Sequence, residues 1–301
     1  MEHLFQFADE LGPARVIAVY KPKLNLRGLL VVDNIAAGPA IGGVLVSTVG
    51  AGSAFALDAG TFLVSAAALL AMRPPGREAH DAAGSIAADL RTGFDYVRRH
   101  VWLWGTFVAA AIAYLCFMGP TEVLLPFVVK NALHGSAADL GLVLAAGGLG
   151  SVACALLMGQ SGLPQREITF IYVVWTLATV AVAGYGVATA VWQLMVVSVA
   201  FNALETAGTI VWATVKQQRV PAGLLGRVSS LDWLISIGLL PLSLALTGPL
   251  SGAIGVRSTL IAAGVVGGAV TLAALYLPGM RAVEGSASAG RESVIRVQLP
   301  E

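Results

Sequence analysis

The sequence predicts an all-α membrane protein with eight transmembrane helices. Three observations lead there. First, the 301 residues are 57% hydrophobic and only 12% charged, with mean hydropathy +0.80, whereas soluble domains carry about 25% charged residues. Second, apolar runs recur at 28–49, 54–72, 102–129, 140–159, 168–189, 191–215, 231–251 and 259–277. About 20 such residues cross a hydrocarbon layer about 30 Å thick. Spanning strands would instead alternate polar and apolar residues over about ten positions, and these runs do not. Third, threading eight spans from an inside N-terminus puts all of the 18 basic residues except Lys130 and Arg257 on one side. Such a bias marks the cytoplasmic face, so both termini are expected there.

Residues 1–27 form the expected cytoplasmic N-terminal segment. Asp9, Glu10 and Pro13 interrupt it, and it has no continuous apolar core of a signal peptide. The first span, 28–49, contains Gly38-Pro39-Ala40-Ile41-Gly42-Gly43. Gly38 and Gly42 share a helix face, and small residues four apart let backbones approach closely in lipid. Pro39 removes one backbone donor and fixes a bend. After a turn at 50–53 comes the second span, 54–72.

The longest polar stretch, 73–101, opens with Pro74, Pro75 and Gly76, which stop a helix. Ile86, Leu90, Phe94 and Val97 then make the stripe of an amphipathic helix lying on the cytoplasmic surface. It links two bundles. The second bundle, 102–277, holds six spans, the first of them kinked or tilted by Pro120 and Pro126. Residues 216–230, KQQRVPAGLLGRVSS, read as a charged linker.

In the seventh span Gly248, Pro249 and Gly252 repeat the Gly-Pro device, again followed by a turn and a small-residue helix. The same two-helix unit thus occurs twice in one orientation, as in the parallel repeats of secondary transporters. Residues 278–301 form a cytoplasmic tail, polar and expected to be disordered from Met280 onward.

Covalent catalysis has no support. The chain lacks a Gly-Lys dipeptide, hence a phosphate-binding Walker loop, and it lacks H-E-x-x-H, C-x-x-C and G-x-S-x-G. The four histidines lie in loops or tails without metal-ligand spacing, and Cys116 and Cys154 are read as small hydrophobes. No metal, cofactor or nucleic acid is expected. The partners are the bilayer, a small molecule and protons.

The informative groups are acids inside spans, costing about 2.5–3.5 kcal/mol at the bilayer centre on insertion scales. Glu205 lies near the middle of 191–215, close to Asn202 and Thr206, and Glu122 lies between Pro120 and Pro126. The nearest base in the helix of Glu205 is Lys216, about 16 Å along the axis. A carboxylate so placed faces a cavity or carries a proton; the rival reading is a local polar contact. Glu205 is expected to face the bundle interior beside Asn202 or Thr206 and toward the third span. Asp33 and Asp58, near helix ends, read as structural. Asp139 is expected as a helix N-cap, and Asp232 as a partner of Arg227 or Arg219. Tyr114, Trp175, Trp212 and Trp233 fit interfacial belts or a cavity that stacks aromatic substrates; the two readings are even for Tyr114, and the belt wins for Trp233.

At Gly38–Gly43 the sequence resembles the major facilitator superfamily, in its drug:proton antiporter branch related to macrolide and siderophore exporters. There Gly-Pro-x-x-Gly-Gly marks the fifth of twelve helices, and the eleventh often carries a Gly-Pro variant, as at Gly248-Pro249. Gln218 to Val220 through Gly226, Arg227 and Val228 is similar to the linker before that eleventh helix, a cytoplasmic gate that includes Asp232. Phe55 to Pro74 resembles the sixth helix.

The resemblance covers roughly 35–280. It implies that the eight spans are the family's fifth to twelfth, with 28–72 closing an N-terminal bundle. The first four helices are absent, as in a truncated or wrongly started gene product, or supplied by another chain. The loop repeat expected at 159–167 keeps only Gly159 and Arg166. Glu122 and Tyr114, then Asn202, Glu205 and Thr206, fall on helices that line the family's pathway. The implied function is proton-coupled efflux of small amphipathic compounds by alternating access in the inner (plasma) membrane. The alternative is a non-transporting remnant, or a regulatory subunit of a complete transporter.

The charge bias makes the topology testable. A reporter fused after Lys130 should be reached from outside the cell and one fused after Arg99 should not; the reverse pattern overturns the orientation.

Overall fold

The computed structural model describes residues 15–21, 26–32, 86–161 and 163–282, with Glu284 and scattered positions from 56 to 67. The chain divides into two compact units, residues 1–82 and 83–301.

In the first unit β1 (Arg15–Lys21) pairs antiparallel with β2 (Leu26–Val32), in the register Arg15 to Val32 and Lys21 to Leu26. This corrects the all-α expectation, and it corrects a first span beginning at 28. RVIAVYK and LRGLLVV are rich in the β-branched and aromatic residues that suit a pleated surface, and Pro22 cannot extend β1. The rest of that span lies outside the described residues, with Asp33, Asp58 and Gly38, Pro39, Gly42 and Gly43. Within the expected second span, positions 62–64 are helical, and Phe62, Leu63 and Val64 are exposed, as lipid-facing residues are.

The second unit is helical: α1 (Ile86–Arg99), α2 (Val101–Phe127), α3 (Ala137–Ser161), α4 (Glu167–Val187), α5 (Val191–Arg219), α6 (Ala222–Ile237), α7 (Leu240–Ile254) and α8 (Val256–Leu275). Six segments among the described residues are long and apolar enough to cross a membrane: 101–132, 137–160, 167–187, 191–219, 222–254 and 256–275. They coincide with the last six expected runs. Helix α4 packs between α5 and α8, α3 lies on α5, and α2 contacts α8, α7 and α6.

Local sequence explains several boundaries. Ser136 and Asp139 form a reciprocal cap at the start of α3: Asp139 Oδ2 accepts from the Ser136 amide at 2.7 Å, and the Asp139 amide donates to Ser136 Oγ at 3.3 Å. Ser136, not Asp139, is therefore the N-cap, with the acid three residues on. Arg257 donates to the Gly186 and Ala188 carbonyls, satisfying the end of α4. The expected linker 216–230 is helical instead. Only Val220 and Pro221 separate α5 from α6: Pro221 is the one proline, and Gly223 and Gly226 are tolerated inside α6. The segment 222–254 bends at Gly238 and Leu239, before Pro241.

Among the residues of α1 whose burial is described, Gly93 and Val97 are packed, with Gly93 against Arg227 and Leu231. Val97 therefore keeps its expected place while Phe94 is exposed, because the contact with α6 is made at Gly93. The tail is ordered further than expected. Residues 276–284 form a strap in which Met280 is fully buried, and Glu284 Oε1 accepts the Thr169 amide at 2.6 Å. An apolar side chain and a capping carboxylate anchor it where composition alone reads as polar.

A close seam joins α2 to α7. The Gly119 amide donates to Ser243 Oγ at 2.8 Å, and that hydroxyl donates to the Leu115 carbonyl at 2.8 Å. Ser243 thus bridges residues 119 and 115 of α2, one step before Pro120. A Cβ at Gly119 would lie 2.4 Å from the Ser243 carbonyl oxygen.

By contrast Gly248 and Gly252 are exposed, and a Cβ at either meets nothing within 4 Å. The close approach expected there is made by other glycines. Gly264 of α8, for one, would put a Cβ 2.5 Å from the Ala183 amide nitrogen of α4. The reason is facing: Ser243 and Thr247 are the buried positions of α7, which turns Gly248, Pro249 and Gly252 away from the bundle.

These environments order two substitutions. Gly119→Ala should cost about 1–3 kcal/mol, the range for overpacking, because backbone on α7 must move. Gly252→Ala should stay within about 0.5 kcal/mol of wild type. Thermal unfolding in detergent measures both.

Candidate transport site

Buried apolar side chains gather in two clusters. One is built on Trp102, Phe107, Tyr172 and Trp212, the other on Phe117, Leu125, Tyr185 and Leu260. Between them lies a cavity of about 40 Å³, room for about three waters. Helix α2 lines it with Thr106, Tyr114 and Phe117, α4 with Tyr172 and Trp175, and α5 with Phe201 and Glu205. Glu205, the central residue of α5, is the acid in this lining, and its carboxylate accepts the Thr209 hydroxyl at 2.9 Å. Tyr114 meets Phe117 edge-on at 5.6 Å between ring centroids, and Phe117 meets Phe201 at 5.9 Å. Tyr114 therefore belongs to the cavity rather than to a belt.

Asn202 and Thr206 serve a different contact. The Asn202 amide donates to the Ser198 carbonyl at 2.9 Å, and Thr206 donates to Ser151 Oγ of α3 at 2.9 Å. A Cβ at Gly147 of α3 would lie 2.5 Å from the Asn202 amide nitrogen. This polar seam holds α5 against α3, so neither residue stands beside Glu205 in the cavity. Neighbours in sequence point apart on a helix: Thr206 sits about 100° round from Glu205. Glu122 is exposed and takes no part in the lining, nor does Pro126 open a described cavity there.

The expected gate residues separate as well. Gln218 and Gly226 are exposed, and the Arg227 backbone side faces Gly93. Asp232 is buried, but its partner is neither Arg227 nor Arg219. Its Oδ2 takes the Lys216 ammonium and the Trp212 indole N–H, the latter at 2.9 Å, while Oδ1 accepts Ser236 at 3.1 Å. Lys216 also lies 5.2 Å from the Trp212 ring centroid, a cation–π contact. Arg219 pairs instead with Glu167 at the start of α4. Lys216 and Arg219 are three apart and face different helices, which fixes who takes which acid.

Trp175, which fits a belt or a cavity from sequence alone, lines the cavity, whereas nothing in the sequence marks Thr106 as a lining residue. Thr106 shares a 2.9 Å hydrogen bond with the Tyr172 hydroxyl, and both hydroxyls point at the Met280 sulfur. The strap thereby closes one end of the cavity wall.

A family model described as transmembrane secretion effector matches residues 25–299. The chain belongs to the major facilitator superfamily. It is thus a multi-pass membrane protein of a transporter family, not an enzyme. Among curated proteins it is similar to the enterobactin exporter EntS of Citrobacter koseri, 30% identical over 197 residues. That match covers 64% of this chain and 45% of the exporter, so the chain matches under half of that relative's length.

The buried pair predicts a non-additive cycle. Asp232→Ala should cost about 3–5 kcal/mol by stranding Lys216, whereas Lys216→Met with Asp232→Leu should recover most of the loss. Chemical unfolding in detergent of the single and double variants reads the difference.

Proposed function

We propose that the chain is part of a proton-coupled exporter of small amphipathic compounds, working by alternating access. Its site is the cavity of Thr106, Tyr114, Phe117, Trp175, Phe201 and Glu205. One observation carries the reading: an acid at the centre of a spanning helix borders an aromatic cavity whose lining holds no basic residue. An unpaired carboxylate in hydrocarbon is expensive, so its retention here fits a group that loads and releases a proton. The aromatic walls would stack or enclose an amphipathic substrate, and the hydroxyls of Thr106, Tyr114 and Tyr172 would meet its polar groups.

The remaining architecture follows from the same proposal. The stretch after β2, up to residue 72, ends an N-terminal bundle, 73–101 is a cytoplasmic link, and 102–277 is the second bundle. The protein sits in the inner membrane with both termini cytoplasmic, as the basic residues require. A cavity of about 40 Å³ is far below the 300–1,000 Å³ typical of ligand pockets. A substrate site therefore needs an open state, completed by further helices of the same or another chain. The likeness to an enterobactin exporter makes that siderophore a rational first substrate to assay.

Glu205→Gln is nearly isosteric and should keep the fold. In proteoliposomes it should abolish efflux driven by a pH gradient, while substrate binding persists. Undiminished proton-driven efflux in the variant would remove Glu205 from the coupling role. Absence of flux from the wild-type chain, alone and with added N-terminal helices, would favour the regulatory or remnant reading instead.

A further inference from the structure

Where α2 begins, an open cleft of about 550 Å³ lies against the α1–α2 corner, the end of α5 and the strap. Tyr96, Arg99, His100, Trp102, Arg219 and Gly279 line it. Three of these are bases and none is an acid; Glu167, ion-paired with Arg219, is not part of the lining. His100 is held in place, its ring 4.3 Å from the Tyr96 ring centroid and its Nδ1 2.7 Å from the Tyr96 carbonyl. A carbonyl accepts only from a protonated Nδ1, which leaves Nε2 as the ring's remaining polar atom. The Tyr96 hydroxyl in turn donates to the Arg219 carbonyl at 3.4 Å, tying α1 to α5.

A second observation points the same way. Helix α2 starts here with no side-chain cap and no acid in its first turn, so its opening amides favour an anion. Depth supplies the third. Val101 begins one segment able to span a membrane and Arg219 ends another, which places the cleft at headgroup level with Trp102 as its apolar wall. The basic side of a membrane protein at this depth meets phosphate diesters of anionic lipids.

We propose that this cleft binds a phosphate ester, supplied by the headgroup of an anionic phospholipid and held by Arg99, His100 and the first turn of α2. The site is separate from the transport cavity, so its test stands apart from the transport reading. Purified full-length protein in detergent is titrated with phosphatidylglycerol, phosphatidylcholine or glycerol 1-phosphate. Thermal unfolding and native mass spectrometry are the readouts.

Phosphatidylglycerol should raise the unfolding temperature and remain as one retained lipid, and phosphatidylcholine should do neither. Arg99→Gln with His100→Gln should weaken the lipid at least about fivefold, the share of the one arginine charge removed, while the lipid-free unfolding temperature is unchanged. If glycerol 1-phosphate gives the same shift and displaces the lipid, the phosphate site stands and its source is a soluble ester. If neither compound shifts unfolding, or the double variant keeps phosphatidylglycerol as tightly as wild type, the proposal fails.

Discussion

Hydrocarbon offers a polar group no hydrogen bond, so each one placed inside a span must be answered by the protein itself. The arrangement of this bundle follows from that demand. Pro120 and Pro126 deprive α2 of backbone donors, and the Ser243 hydroxyl bridges the amide of residue 119 and the carbonyl of residue 115. Through this bridge α7 is fixed in height and rotation against α2, and the bend at Gly238 and Leu239 sets how α6 continues from it. Lys216 and Asp232 answer each other in the same way, with Trp212 and Ser236 taking the remaining carboxylate sites. A buried pair of this kind is weak evidence for stability, since desolvation offsets much of the attraction. What it does supply is a single register between α5 and α6.

Glu205 is the exception that gives the cavity its character. Its partner is a neutral hydroxyl one turn away on the same helix, and the surrounding wall is aromatic and alanine-rich. Every other described acid within the spanning segments is capped, ion-paired or exposed. A charge left without an opposite partner is stable only as the neutral acid or beside water.

Much of this was legible in the sequence because bilayer thickness dictates a length that composition records. The six runs from 102 to 277 became six helices able to span, and the central acid of one of them does border a cavity. What stayed hidden depended on azimuth and on partners far along the chain. Asn202 and Thr206 are near Glu205 in sequence yet belong to the seam with Gly147 and Ser151. Gly248 and Gly252 carry the familiar spacing, but Ser243 and Thr247 take the buried face of α7, and Gly264 makes the close approach elsewhere. Arg227 and Arg219 are both nearer to Asp232 along the chain than Lys216 is, and only the fold decides among them. The strand pair 15–21 and 26–32 is hidden in the hydrophobic pattern, because Val, Ile and Tyr are apolar enough to mimic the start of a span while also favouring strands.

The contacts around the cavity differ in kind from those at its ends, and the difference bears on which parts can move. The walls meet through ring edges, Tyr114 with Phe117 and Phe117 with Phe201, contacts worth about 0.5–1.5 kcal/mol that re-form readily after a rotation. Toward the α1 side lie ion pairs, the Glu284 cap on α4 and the buried Met280, each of which must break as a unit. Helix α5 joins both worlds: Ser198, Asn202 and Thr206 lock it to α3, while Phe201 and Glu205 face the yielding wall. A ligand pressing into the cavity therefore acts first on α2, whose proline-broken backbone leans on one serine of α7. That serine lies on the segment whose outer face, with Gly248 and Gly252, is bare among the described residues. Space opened on the inside of α7 can thus be accommodated on its outside without breaking an ion pair.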